Sequence, residues 1–308
     1  MSIYISVDSG TTNTRIALVK DNKIIKTLKY NVGASKSIGD GTLLKNALKE
    51  GISKLLAENN LTEKDVTKII ASGMITSEFG LVGIPHLELP VGKEDLSKNL
   101  FEKSFPEISS VPFTFVRGIK SFDGNFENTD MVRGEETEIM GILKGEGIYL
   151  LAGSHTKLIS VDKEEKIVAV KTLLTGELIA AVSGNTILKD AIDLSASGLT
   201  EEYLLAGYNY AAEKGIGDAL FKVRILKNLF NKTSSEVYSF FMGAILSDDI
   251  KAVLNSGINR VFISGTKYIR TPIAIILRKI SNLNITEISE TESEQATVRG
   301  QINIIEEI

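Results

Sequence analysis

The chain writes one pattern twice, and that duplication restricts its possible folds more than any other feature. The stretch "IYISVDSGTTNTRIALV" (3–19) runs a strand into a polar knot and out into a second strand, and "KDNK" and "IIKTLKYNVG" add a charged turn and a third strand. Further on, "GIYLLAGSHTKLISVDKEEKIVAVKTLLTGE" (147–177) gives a strand over 148–152, a knot Gly153-Ser154-His155-Thr156, a strand over 158–161, a charged turn and a strand over 167–174. Gly10 matches Gly153, Val19 matches Val161, and Lys23-Ile24 match Lys166-Ile167, with one residue of slippage inside the knot. β-Branched runs bounded by Gly, Asn and Asp predict a three-stranded meander in each place. Chance likeness between two common hairpins is the competing explanation. A length of 308 residues leaves room for two domains, each with its own core. Two related domains, each opening on a meander, are therefore expected.

The flanking segments fill out the repeat. In "GTLLKNALKEGISKLLAENN" the apolar residues Leu44, Ala47, Leu48, Ile52, Leu55 and Leu56 recur at helical spacing, and "VTKIIASG" reads as the strand that follows. Between Pro85 and Asn128 the pattern is broken by Pro85, Pro90, Pro106 and Pro112, which predicts irregular, partly inserted structure shaping an acceptor site. Helices are expected over 176–191, 200–213 and 234–254. "NRVFISGTKYIRTPIAIILRKI" then reads as a buried strand ending in Ser264-Gly265-Thr266 and opening a helix. A strand over 285–288 and a helix over 292–302 close the chain. The division expected is 1–128 and 129–308.

Composition narrows the chemistry. Cysteine is absent and the histidines are His86 and His155, so thiolate nucleophiles, disulfides and Cys- or His-rich metal centres are excluded. With 35 Lys and Arg against 39 Asp and Glu, the chain lacks the basic excess of a nucleic-acid or anionic-membrane binder. No apolar run approaches the roughly 20 residues of a spanning helix, and no charged n-region precedes an apolar h-region. A cytoplasmic protein is expected. Hard cations and phosphates are its natural ligands, held by local Arg, Lys and backbone amides.

Four segments carry candidate chemistry. At the first knot Gly10 allows an oxygen-rich ligand close to the backbone, Thr11, Thr12 and Asn13 supply donors, and Asp8 is placed to hold a divalent ion through water. A decorated hairpin turn would use the same residues. The second knot, Gly153, Ser154, His155, Thr156 and Lys157, repeats the arrangement with two cationic or donor side chains, though a lone histidine is often only structural. In "NTDMVRGEETEIMGIL" Asp130 reads as a helix N-cap, with Arg133, Glu135 and Glu136 in the first turns; good capping alone would explain the acids, but Gly134 there costs about 1 kcal/mol against alanine. "VFISGTKYIRTP" reads either as an ordinary βα junction or as a backbone platform for an adenosine moiety, with Gly265 permitting close packing of the base or ribose.

These segments, in this order, resemble the sugar-kinase, Hsp70 and actin superfamily, and "VRGEETEIMG", "AGSHTK", "KTLLTGEL", "FKVR" and "SGMITSEFG" resemble the 2-dehydro-3-deoxygalactonokinase family. The resemblance implies an α/β fold of two actin-like (ribonuclease H-like) domains, each a mixed five-stranded sheet flanked by helices, around an interdomain cleft. It implies ATP and Mg²⁺, and transfer of the γ-phosphoryl group to the 6-hydroxyl of 2-dehydro-3-deoxy-D-galactonate. It makes the two knots the phosphate sites and Ser264–Lys267 the adenosine site, and it gives the general base to an aspartate, in a Gly-Asp-Gln pattern, that begins the helix just before the second knot. Asp130 is read into that place, with Glu135 and Glu136 as rivals. Arg15, Arg133, His155, Glu177 and Arg224 are the candidates for binding the sugar acid. Kinases of a hexose, 2-keto-3-deoxygluconate or pantothenate, and a nucleotide-gated actin- or Hsp70-like ATPase, are the alternatives. The oligomeric state is open, a homodimer included.

Overall fold

The computed structural model describes residues 2–34, 41–196 and 198–307. In chain order the elements begin with strands β1 (Ile3–Ser9), β2 (Thr14–Lys20) and β3 (Lys23–Tyr30), helix α1 (Thr42–Glu58), and strands β4 (Lys68–Gly73) and β5 (Leu87–Glu88). They continue with α2 (Lys93–Lys98), β6 (Phe101–Phe105), β7 (Ser109–Phe115), β8 (Ile119–Ser121), β9 (Asp130–Val132) and α3 (Glu135–Ile142). The second meander is β10 (Gly147–Ala152), β11 (Thr156–Val161) and β12 (Ile167–Leu173), followed by α4 (Thr175–Asn185), α5 (Glu201–Lys214), α6 (Ile216–Asn228), α7 (Ser234–Ile245) and α8 (Ser247–Leu254). Strand β13 (Arg260–Gly265), α9 (Lys267–Ile280), β14 (Asn284–Glu287) and α10 (Glu290–Ile305) complete the chain.

The duplication is present in the topology. One sheet has the order β3-β2-β1-β4-β7-β6 and the other β12-β11-β10-β13-β14. In each, the first strand of the meander pairs parallel with a later strand: β1 with β4, and β10 with β13. The central strands β1 and β10 are buried along nearly their whole length, as expected of runs such as Ile3–Val7 and Ile148–Ala152 that are covered on both faces. Together the sheets, the flanking helices and the repeated order form an actin-like α/β fold.

By packing, the chain divides into two compact units: 1–145 with 161–170 and 291–308, and 146–160 with 171–290. Residues 129–145 and 291–308 thus group with the N-terminal sheet, although sequence order alone suggests a division at 128/129. The cause is local. Helix α10 lies so close to α3 that a Cβ on Gly300 would stand 1.8 Å from the Thr137 carbonyl oxygen. Asn303 Nδ2 donates to the Met140 carbonyl at 2.9 Å, and Gln301 Nε2 donates to the Val7 carbonyl and to Ser72 Oγ, both at 2.9 Å. We expect Gly300→Ala to lower the urea midpoint by an amount worth about 1–3 kcal/mol, because the two backbones must part; an unchanged midpoint would contradict this packing.

The first unit's core joins β1, β2, β4, α1 and the Phe105, Phe113 and Phe115 rings of β6 and β7. The stretch expected to be irregular therefore supplies two strands, β7 running parallel beside β4. Only β5, β8 and β9 form a separate small sheet. The second unit packs α4, α5, α7, α8 and α9 against β10 and β13. The helix expected over 234–254 is two helices meeting at Leu246, that over 176–191 ends at Asn185, and α6 was not anticipated. Among the described residues, no helix is long and apolar enough to cross a membrane.

Candidate active site

The first knot is a turn whose feet are buried and whose tip is exposed. Ser9 Oγ and Thr14 Oγ1 lie 2.8 Å apart, Thr14 Oγ1 donates to the Val32 carbonyl at 2.7 Å, and the Gly10 amide donates to the Asn13 carbonyl at 2.9 Å. Part of the polar surplus thus fixes the turn itself. Thr11 and Thr12 are left exposed, and Gly10 and Asn13 half-buried. Asp8 sits behind the tip and accepts from Arg15 Nη1 at 3.3 Å. Burial pushes the Asp8 carboxyl above its usual value; Arg15 opposes that, and the neighbouring Glu135 carboxylate adds to it.

Two glycines seen only in the fold hold this turn. A Cβ on Gly33 would lie 2.5 Å from the Gly10 carbonyl oxygen and 2.7 Å from the Asn13 nitrogen, and the Ala34 amide donates to the Gly10 carbonyl at 3.0 Å. Gly73, at φ +88°, would place a Cβ 2.6 Å from the Ser9 carbonyl oxygen. The same pair recurs around the second knot. A Cβ on Gly176 would lie 2.6 Å from the Gly153 carbonyl oxygen, and one on Gly265, at φ +95°, would lie 2.0 Å from that of Ala152. Gly33 and Gly176 follow their knot glycines by the same number of residues, and "ASG" (71–73) matches "ISG" (263–265). The signal was in the sequence, as the continuation of the repeat.

The segment "VRGEETE" reaches the first turn. Gly134, at φ +110°, caps α3 and would bring a Cβ within 3.2 Å of Gly73 Cα. Glu135, the first residue of α3, accepts from the Arg133 amide at 3.1 Å and is close enough to Asp8 to raise its pKa. Glu136 is fully buried. Its carboxylate accepts from the Gly134 amide at 2.8 Å and from Thr137 Oγ1 at 3.0 Å, yet burial, aided by Glu135, pushes its pKa to about 8.

Asp130 is not the helix cap that its sequence context suggests. It lies in β9, paired with Ser121, and accepts from the Met131 amide at 2.7 Å; Gly134 holds the cap position. Arg133 is a tether. Its Nη1 donates to the Thr76 carbonyl and hydroxyl at 2.7 and 2.9 Å, and its Nη2 donates to the Ile84 carbonyl at 2.8 Å. His86 lies 3.4 Å from that Nη2, and burial, with Arg133 and Lys120, lowers its pKa to about 4, so the ring is neutral at physiological pH.

In the second unit, the knot Gly153–Lys157 lies between the starts of two helices. The Glu177 amide, in the first turn of α4, donates to the Ser154 carbonyl at 3.1 Å, and His155 Nε2 lies 2.9 Å from Glu177 Oε1. Thr266 caps α9, its amide donating to the Ala152 carbonyl at 2.8 Å. Gly265, Thr266 and Lys267 thus meet the second knot at the end of paired β10 and β13, with Thr266 and Lys267 exposed. Ser154 is exposed, Thr156 fully buried, and Lys157 only 8 % exposed, against the solvated state usual for lysine. Asp249, not anticipated, accepts from Thr175 Oγ1 at 2.7 Å, and burial raises its pKa to about 6. Arg224 donates to the Ile187 carbonyl at 3.1 Å.

The donor set suits an oxygen-bound divalent ion. Asp8 and Glu135 are neighbouring carboxylates whose mutual repulsion a cation relieves, and among the described residues no group of three or more His, Cys, Asp or Glu encloses a site directly. Asp8 fits Mg²⁺ held through water, since that ion keeps much of its hydration shell.

The sequence profile of the 2-keto-3-deoxy-galactonokinase family matches residues 8–304. Among solved structures, a Sinorhizobium meliloti protein provisionally assigned as a 2-dehydro-3-deoxygalactonokinase superposes with a TM-score of 0.79 at 19% identity, over 98% of this chain and 97% of that one. The activator of the 2-hydroxyisocaproyl-CoA dehydratase from Clostridium difficile, with bound ADPNP, gives a TM-score of 0.53 at 11% identity over 99% and 95% of the two chains. A Porphyromonas gingivalis protein provisionally assigned as an N-acetylglucosamine kinase gives 0.51 at 14% identity over 98% and 99%. At these identities the structural likeness is one of fold. None of the curated protein sequences compared matches the chain.

Proposed function

The chain belongs to the 2-keto-3-deoxy-galactonokinase family, phosphotransferases with an alcohol group as acceptor, and on that premise we propose that it transfers the ATP γ-phosphoryl group to the 6-hydroxyl of 2-dehydro-3-deoxy-D-galactonate in the cytoplasm. The observation that carries this reading is the convergence of Asp8, Gly73, Gly134 and Glu135 on the first turn. It supports reading Glu135 as a proton acceptor and Asp8 as a cation-holding carboxylate beside the exposed Thr11 and Thr12.

The roles follow from the chemistry of each group. Gly10, Thr11, Thr12 and Asn13, and likewise Gly153, Ser154, His155, Thr156 and Lys157, provide backbone, hydroxyl, amide and cationic donors for phosphate oxygens. Gly265, Thr266 and Lys267 take the nucleoside. Asp8 would hold hydrated Mg²⁺, which when bound neutralises phosphate charge. Glu135 accepts the proton of the attacking hydroxyl. It begins the helix before the second knot, the place the resemblance gives to an aspartate base and a glutamate fills here, whereas Asp130 lies upstream in a strand and Glu136 is buried and largely protonated at neutral pH. For the substrate carboxylate we favour Arg15, with its side chain 56% exposed, over Arg133 and Arg224, whose guanidinium groups bind backbone carbonyls. His155 and Glu177, paired and partly exposed, suit a sugar hydroxyl.

The test is the position of the new bond. Purified enzyme with ATP, Mg²⁺ and the keto-deoxy acid should give a product whose ³¹P resonance is a phosphomonoester coupled to the C6 protons. Coupling to any other carbon, or an acyl phosphate, would overturn the proposal.

A further inference from the structure

A cavity in the first unit, away from the candidate active site, has no part in the proposed reaction. It has a volume of about 580 Å³, within the range of small-molecule sites, and lies between the β2–β3 hairpin, the end of α3 and one face of α10. Its charged lining residues, Lys23 and Arg299, are both cations, and Asn22, Gln295 and Asn303 add amides. Among the described residues neither Lys23 nor Arg299 has a carboxylate partner; Arg299 Nη2 donates to Gln295 Oε1 at 2.7 Å. One acid is tied to the lining, Glu306, whose Oε2 accepts from Asn22 Nδ2 at 3.1 Å. Lys23 on the hairpin and Arg299 on α10 thus bring two cations without a carboxylate partner to one cavity, in a chain with 39 acidic and 35 basic residues.

The cavity is distinct from the first turn. Val19 lines it while Thr14 forms the foot of the turn, so strand β2 separates the two by about 17 Å at the usual rise per residue. On α3 the lining residue is Gly141, at the opposite end from Glu135.

We propose that this cavity is a binding site for a small anionic metabolite, its carboxylate or phosphate held by Lys23 and Arg299 and its hydroxyls by the surrounding amides. The inference does not depend on the acceptor or reaction assigned to the active site. It is tested by isothermal titration calorimetry of the full chain held in saturating Mg·ADP, with succinate and inorganic phosphate as probes. The expected result is saturable binding of at least one probe, the tighter one identifying carboxylate or phosphate as the group recognised. Affinity should fall about tenfold or more in K23A/R299A and be retained in Glu135→Gln. Circular dichroism establishes that the double variant is folded; if it is not, the exposed single change Lys23→Gln carries the comparison. No binding of either probe, undiminished binding by the variant, or binding abolished by nucleotide would overturn the proposal.

Discussion

Glu135→Gln is expected to lower turnover by about 10²–10⁴ while leaving the KM for ATP nearly unchanged, because general-base catalysis typically contributes that factor and the amide keeps the size of the side chain. Gln can still accept from the Arg133 amide, the contact that Glu135 makes at 3.1 Å, so the start of α3 should survive. Asp130→Asn should leave turnover close to wild type, since Asp130 belongs to β9 and not to the helix start. The opposite pattern, with Asp130→Asn crippled and Glu135→Gln active, would return the base to the strand. Steady-state kinetics of the two variants side by side settles it.

The second large effect is a pH dependence of stability carried by Glu136. Its carboxyl moves from an ordinary 4.5 to about 8 in the folded chain. A raised acid binds its proton more tightly when folded, so its stabilising contribution is full below about 4.5 and is lost as pH rises towards 8. Wild type should therefore lose stability over this window relative to Glu136→Gln, which has no proton to release and keeps an acceptor for the Gly134 amide. At about 1.36 kcal/mol per pKa unit the difference approaches an upper bound of roughly 5 kcal/mol. Urea unfolding of both proteins at pH 5 and pH 8 checks the sign. A gap between them that stays constant, or closes as pH rises, would contradict the buried, protonated state.

The repeat made much of this legible. The two meanders, α1 and the knots were visible because short β-branched runs, glycine turns and helical spacing are local signals. Features set by tertiary packing were less visible. Asp130 resembles a cap because aspartate is a favoured N-cap residue and acids follow it, but Met131 and Val132 extend it into a strand, and Gly134 alone can take the φ of +110° at the helix start. Gly33, Gly73 and Gly176 carry no local mark of their role, which is to admit a second backbone to the turn. Helix α6 begins directly after Gly215 and buries only Ala219 and Val223, too narrow a stripe to stand out. The strands β6 and β7 were hidden by the prolines around them, although Phe113 and Phe115 are fully buried.

We propose that the duplicated turns serve a kinase of a small keto-deoxy sugar acid. A coupled ADP-release assay tests it directly, run with Mg·ATP across 2-keto-3-deoxy sugar acids of the galactonate and gluconate series, common hexoses and pantothenate. The highest kcat/KM is expected with 2-dehydro-3-deoxy-D-galactonate, with strong loss of that rate in Glu135→Gln. Turnover of a hexose or pantothenate with none of the keto-deoxy acids would contradict it.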